Sequence, residues 1–163
     1  MKTLVIGLGN PILGDDGVGW RVAEEVQKWL SSNSANPAGP GIEVDCVALG
    51  GLSLMERLTG AELVVIIDAM DTKAAPVGTV RNLLLGDLPD LSSGHTTAVH
   101  DTSLRNALSI GRSMGIPLPE DDNIHIVAIE AEAVHDFSEV LSPAVQGAIP
   151  AAVSSILMIL NLS

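Results

Sequence analysis

The stretch "VIGLGNPILGDDGVG", residues 5–19, decides the fold. An apolar strand runs directly into glycines, the pattern by which open α/β sheets cradle a phosphate at a helix N-terminus. The entrance to this helix carries two adjacent carboxylates, Asp15 and Asp16, which would repel a phosphate. A dinucleotide fingerprint needs Gly-x-Gly-x-x-Gly with the helix starting at once. In "GLGNPILG" Gly14 comes two positions late after Gly7 and Gly9, and Pro11 stiffens the turn. The stretch therefore predicts a strand and a helix joined by a tight loop that presents carboxylates.

Working outward, "KTLVIGLG" reads as a buried parallel strand, because its apolar residues run continuously. Val18, Val22, Val26, Trp29 and Leu30 recur at helical spacing after it. "SSNSANPAGPG" (31–41) is a polar loop, and "IEVDCVAL" a second strand. "LSLMERL" reads as a short helix with Ser53 at its N-cap. "ELVVIIDAM" and "GTVRNLLL" are further strands, and 86–101 a long loop with little regular pattern. "TSLRNALSIGRSMG" is a helix that Asp101 or Thr102 can cap and that stops at Gly115. "NIHIVAIEA" is a fifth strand. The closing helix has Ser142 as N-cap, Pro143 at its first position and Pro150 as a kink.

Strands alternating with helices imply a three-layer α/β/α fold around a mostly parallel sheet of about five strands. The connection "KAAPVG" is too short for a parallel crossover, so the fourth strand is expected to run antiparallel. Ligands in such sheets bind at the carboxyl ends of the strands. That edge holds Asn10, Asp15, Asp16, Asp68, Asp71, Glu130 and Glu132.

Composition removes several classes of function. The chain has 163 residues, enough for one domain with a real core. Aromatics are only 2% of it, so that core must be packed from aliphatic side chains. Eight basic against 20 acidic residues give a net charge of −12, which argues against a nucleic-acid partner or an anionic membrane surface. With Cys46 alone, neither an intrachain disulfide nor a Cys-based zinc site can form. This fits a reducing, cytoplasmic setting. The N-terminus is too short and glycine-broken for a signal peptide, and "AAVSSILMILNL" is too short to span a bilayer.

The carboxylates admit two readings. One of Asp15 and Asp16 is expected to cap the first helix, leaving the other to point elsewhere. Asp68 ends the most apolar strand, beside the first. Two carboxylates converging on one crevice repel each other unless a cation or a proton intervenes. The alternative is that Asp68 only accepts bonds from backbone N–H groups of the next turn. A histidine would decide for a metal. His125 alternates with Ile124 and Ile126 and reads as a strand residue, and His135 lies near the sheet edge. His95 and His100 lie in the long loop, His100 next to a helix entrance. Two aspartates and a histidine suit a divalent ion such as nickel, zinc or manganese.

At these residues the sequence resembles the hydrogenase maturation proteases, which trim the C-terminal extension of [NiFe] hydrogenase large subunits. The resemblance rests on "GLGNPILGDDGVG", "VVIIDAMDTKAAPVGTV", "HDTSL" and "IEAEAVHDFSEVLSPAV", over nearly the whole of 1–163 read as one such domain. It implies that Asp16, Asp68 and His100 are both the metal ligands and the catalytic residues. It further implies that the nickel arrives with the precursor of the large subunit, which is the partner. "LGGLSLMERL" departs from the family at Leu49 and Leu52, where members carry polar residues in a segment thought to read the partner. The hydrogenase subgroup is therefore left open. Peptidyl-tRNA hydrolase shares "GLGNP", but has an Arg-His-Asn segment where this chain has Asp-Asp-Gly. A nickel-binding chaperone that cuts nothing is the competing reading, and a monomer the expected state.

Overall fold

The computed structural model describes residues 1–33, 41–48, 50–87, 96–132 and 137–162, and within 96–103 the backbone alone. Five strands form one sheet: β1 (Thr3–Leu8), β2 (Ile42–Val47), β3 (Leu63–Met70), β4 (Val80–Leu84) and β5 (Ile124–Glu130), in the order β2-β1-β3-β5-β4. All neighbouring pairs are parallel except β4 with β5, which is antiparallel. The short connection from β3 to β4 thus does what its length dictates.

Alternation along each strand divides the core in two. On one face Val5, Val65, Ile67, Val127 and Ile129 pack against α1 (Val18–Ser32) and α4 (Pro143–Ile159). On the other, Leu4, Ile6, Val64, Ile66, Ile124 and Ile126 pack against α2 (Gly51–Arg57) and α3 (Thr96–Ser113). The layers are α/β/α, with cores built from aliphatic side chains.

Several local expectations are corrected. The N-cap of α2 is Gly50, and Ser53 sits inside the helix. Helix α3 begins at Thr96, so Asp101 and Thr102 are helical rather than capping, and His100 lies within the helix instead of a loop before it. Ser142 and Pro143 do open α4, and Pro150 lies within it. Among the described residues no helix is long and apolar enough to cross a membrane.

Candidate active site

The crevice lies where the chain leaves β1 and β3 at their carboxyl ends, since β1 has β2 on one side and β3 on the other. Two glycines let the segments close there. Gly19, in the first turn of α1, packs so closely that a Cβ would stand 2.5 Å from the carbonyls of both Leu8 and Ile67. Gly9 has a φ of +137°, and a Cβ there would lie 2.0 Å from the carbonyl oxygen of Asp16. Neither position accommodates a side chain without moving backbone.

Between them, Gly14–Gly17 forms one 3-10 turn packed against β3. It holds the paired aspartates, and they divide their work differently from expectation. Neither caps the 3-10 turn or α1 through its side chain. Asp15 is buried and turns away to the start of α4, where it accepts hydrogen bonds from the Ser142 N–H at 2.7 Å and hydroxyl at 2.8 Å. Asp16 is half-buried and bends back over the loop. Its Oδ2 accepts the N–H of Asn10 at 2.8 Å, and Asn10 Oδ1 in turn accepts the N–H of Ile12 at 3.2 Å. Among the described residues no hydrogen bond reaches Asp16 Oδ1.

Asp68 is 5% exposed, on the face of β3 that also carries Ile66 and Met70. It stands one residue beyond the last β1–β3 pair, Gly7 with Ile67. Helix α3 covers this face through Leu104, Ala107 and Leu108, and His100 stands one turn before Leu104 in that helix. The side chain of His100 lies outside the described residues, as do His95 and His135 entirely. Among the described residues no three His, Cys, Asp or Glu side chains form a group that could hold a metal. His125, read as a strand residue, lies in β5 with its Nδ1 buried and without a hydrogen-bond partner among the described residues, and burial pushes its pKa down. The Cys46 thiol is half-buried, and burial, reinforced by Glu24 and Asp45, pushes its pKa up. It is thus poorly suited to act as a nucleophile.

Glu130 ends β5 at this same edge. It is 1% exposed and accepts both the N–H of Thr72, at 3.1 Å, and the Thr72 hydroxyl. Arg81 donates to that hydroxyl oxygen at 3.3 Å. The Glu130 main chain also binds the returning end of the same loop, through Gly78 and Thr79. One residue thus pins both ends of the β3–β4 connection. Asp71 is half-buried and Glu132 exposed beside it.

An open, mostly parallel sheet with carboxylates at its carboxyl edge defines a doubly wound α/β protein, a class whose ligands sit at such a switch point. A family model described as "Hydrogenase maturation protease" matches residues 42–159, and the chain belongs to that family. The matched segment contains Asp68 and His100; the Asp16 loop precedes it. The chain is 25% identical over 153 residues to the hydrogenase expression/formation protein HupD of Thiocapsa roseopersicina, covering 93% of this chain and 64% of that one. To HupD of Rhodobacter capsulatus it is 26% identical, covering 94% and 68%. Among solved structures, the hydrogenase maturating endopeptidase HybD from E. coli superposes with a TM-score of 0.75 at 23% identity, over 99% of this chain and 93% of that one. The [NiFe] hydrogenase maturation protease HybD from Thermococcus kodakarensis gives 0.64 at 21%, over 98% and 99%. These two likenesses establish the shared fold.

Proposed function

We propose that this chain is the endopeptidase that removes the C-terminal extension from the nickel-loaded precursor of a [NiFe] hydrogenase large subunit. Family membership supports the reaction class, as do the names borne by its relatives. The observation that carries the reading is the posture of Asp16. Its carboxylate is held at the switch point by the Asn10 N–H, while Oδ1 is left without a hydrogen bond among the described residues. A residue that only capped a helix would direct its oxygens at that helix.

In this proposal Asp16, Asp68 and His100 reach the nickel that the precursor brings, and so hold the peptide bond to be cut. Two carboxylates and an imidazole, with no thiolate, form a weaker site than those built from cysteine and histidine. They also come from three separate segments. Such a set fills firmly only when the precursor contributes ligands of its own. The nickel is thus cargo of the substrate rather than a resident cofactor. The protein is expected to be a cytoplasmic monomer.

The test treats the protein with a chelator, removes the chelator, and adds either nickel-loaded or nickel-free precursor. Shortening of the nickel-loaded form alone supports the proposal. Cleavage of nickel-free precursor by zinc-loaded protein refutes the role given to nickel. Nickel binding without any cleavage would make the chain a chaperone.

A further inference from the structure

We propose that Ile12, Phe137 and Val140 form an apolar docking lip beside the active-site crevice, and that its occupant is the folded body of the large-subunit precursor. This rests on the functional reading above. Isolated exposed apolar residues need no explanation, but an ordered group of them does. Phe137, the one phenylalanine of the chain, is 83% exposed, Val140 76% and Ile12 46%. They belong to two segments that are bonded together. Leu13 pairs with Ser138 in a parallel bridge. The Ser138 N–H donates to the Ile12 carbonyl at 2.8 Å, and the Gly14 N–H to the Ser138 carbonyl at 2.7 Å. This register sets Ile12 opposite Phe137. The Val140 N–H donates to the Ser138 hydroxyl at 3.1 Å.

The lip is also fastened from below. Arg21 donates to the Glu139 carbonyl at 3.3 Å, and Asp15 holds Ser142. A surface fixed in advance loses little entropy on docking, and an exposed aromatic on such a surface is a typical anchor of binding energy.

Position and charge choose the occupant. Ile12 lies inside the loop that Asp16 closes onto Asn10, which sets the lip beside Asp16 in the chain and within reach of a protein whose peptide is held there. The surroundings are acidic: Glu132 and Glu139 are exposed, and the chain as a whole carries −12. The surface of the precursor that complements this lip would be an apolar patch rimmed by basic residues. An anionic lipid surface is repelled by the same charge.

The experiment uses the precursor from the same organism, purified with its extension and nickel. Its affinity for the protein and the steady-state cleavage rates are measured for wild type, Phe137→Ser, Val140→Ser and the conservative Phe137→Leu. Melting temperature and sedimentation are followed in parallel. The expected result is a KM and a dissociation constant raised about tenfold or more in the serine variants, with kcat and melting temperature unchanged. Phe137→Leu is expected to recover most of the loss. Wild type that binds the precursor through Phe137 but never cuts it would sink the protease reading and leave the lip standing. Wild type that cuts, with KM and affinity unmoved by the serine variants, would overturn the lip. So would a wild-type dimer dissolved by Phe137→Ser without change in KM, since the occupant is then a second copy. Equal loss of affinity and melting temperature would make Phe137 a folding residue and overturn the lip as well.

Discussion

Asp15 accepts two hydrogen bonds from one residue 127 positions away, the backbone N–H and the hydroxyl of Ser142. It thereby ties the loop that precedes α1 to the N-cap residue of α4, and both helices lie on the same face of the sheet. The carboxylate is buried, so both bonds are charge-assisted and shielded from water. Asp15→Ala removes them and leaves the Ser142 N–H without its partner. The expected cost is about 2–3 kcal/mol in urea unfolding. Asp15→Asn keeps one acceptor oxygen, and the Ser142 hydroxyl can turn to accept, so it should cost less than half as much. Equal stability of wild type and Asp15→Ala would show that the clamp contributes nothing.

Gly19→Ala tests the closure of the crevice. The new methyl would meet two main-chain carbonyls at 2.5 Å, one from β1 and one from β3. Backbone cannot yield as a side-chain tip does. The expected loss is about 1–3 kcal/mol of stability or more, and processing should fall further than stability alone explains. Activity per folded molecule, from cleavage rate and circular dichroism together, checks this. Full activity in a stable Gly19→Ala protein would mean that α1 can move off the strands without disturbing the site.

Much of this was legible in the sequence because it follows from periodicity and length. Continuous apolar runs gave buried parallel strands, and a connection too short to cross a sheet gave the antiparallel strand β4. What escaped depends on partners distant in sequence or on weak local propensity. Nothing local marks Ser142 as the partner of Asp15. The start of α3 reads as loop in the sequence because "TTAVHD" has β-branched residues and no apolar period. Gly50 rather than Ser53 is the N-cap of α2, and no side-chain cap hydrogen bond marks the position, so a reading that looks for a capping hydroxyl misses it. At the site, the family pattern pointed to Asp16 over Asp15, where local chemistry left the two interchangeable.

Glu130 offers a separate test of the wall beside the crevice. Glu130→Ala strands the Thr72 N–H and hydroxyl and frees one end of the β3–β4 connection. A loss of about 1.5–3 kcal/mol is expected, as for a buried bond to a charged acceptor. Glu130→Gln should recover part of it. Hydrogen exchange at the Thr72 and Gly78 amides reads the loop directly. Thr72 protection should collapse in the alanine variant, whereas Gly78 should retain more, since its partner is the Glu130 main-chain carbonyl. Unchanged protection at Thr72 would dismiss the anchor.

His125 makes stability depend on pH in a narrow window. Burial holds its pKa below the ordinary 6.5, so the folded protein disfavours the proton that the unfolded chain accepts. Between those two values the unfolded state binds more protons, and stability therefore rises with pH. The contribution is complete above about pH 7 and is lost as the pH falls through 6.5 toward the folded value. Melting temperatures from pH 5.5 to 7.5 should rise with pH in wild type and flatten in His125→Val. Parallel profiles for the two proteins would reject the assignment.

The three proposed ligands make the sharpest comparison. Asp16→Asn, Asp68→Asn and His100→Ala should each reduce processing of nickel-loaded precursor by at least about a hundredfold, on the scale of losing a group that holds a metal. Stability should respond differently at the three sites. Asp16 is half-buried, and asparagine still accepts from the Asn10 N–H, so its melting temperature should barely move. Asp68 is almost wholly buried, so its variant should show a measurable shift. The control is His95→Ala, the other histidine read in the loop before α3, which should keep near-normal processing. Nickel retained on the trapped complex, measured by atomic absorption after gel filtration, separates ligation from catalysis. Loss of processing in His95→Ala with full activity in His100→Ala would transfer the imidazole role to His95. Full activity in Asp16→Asn would remove the carboxylate on which the whole reading turns.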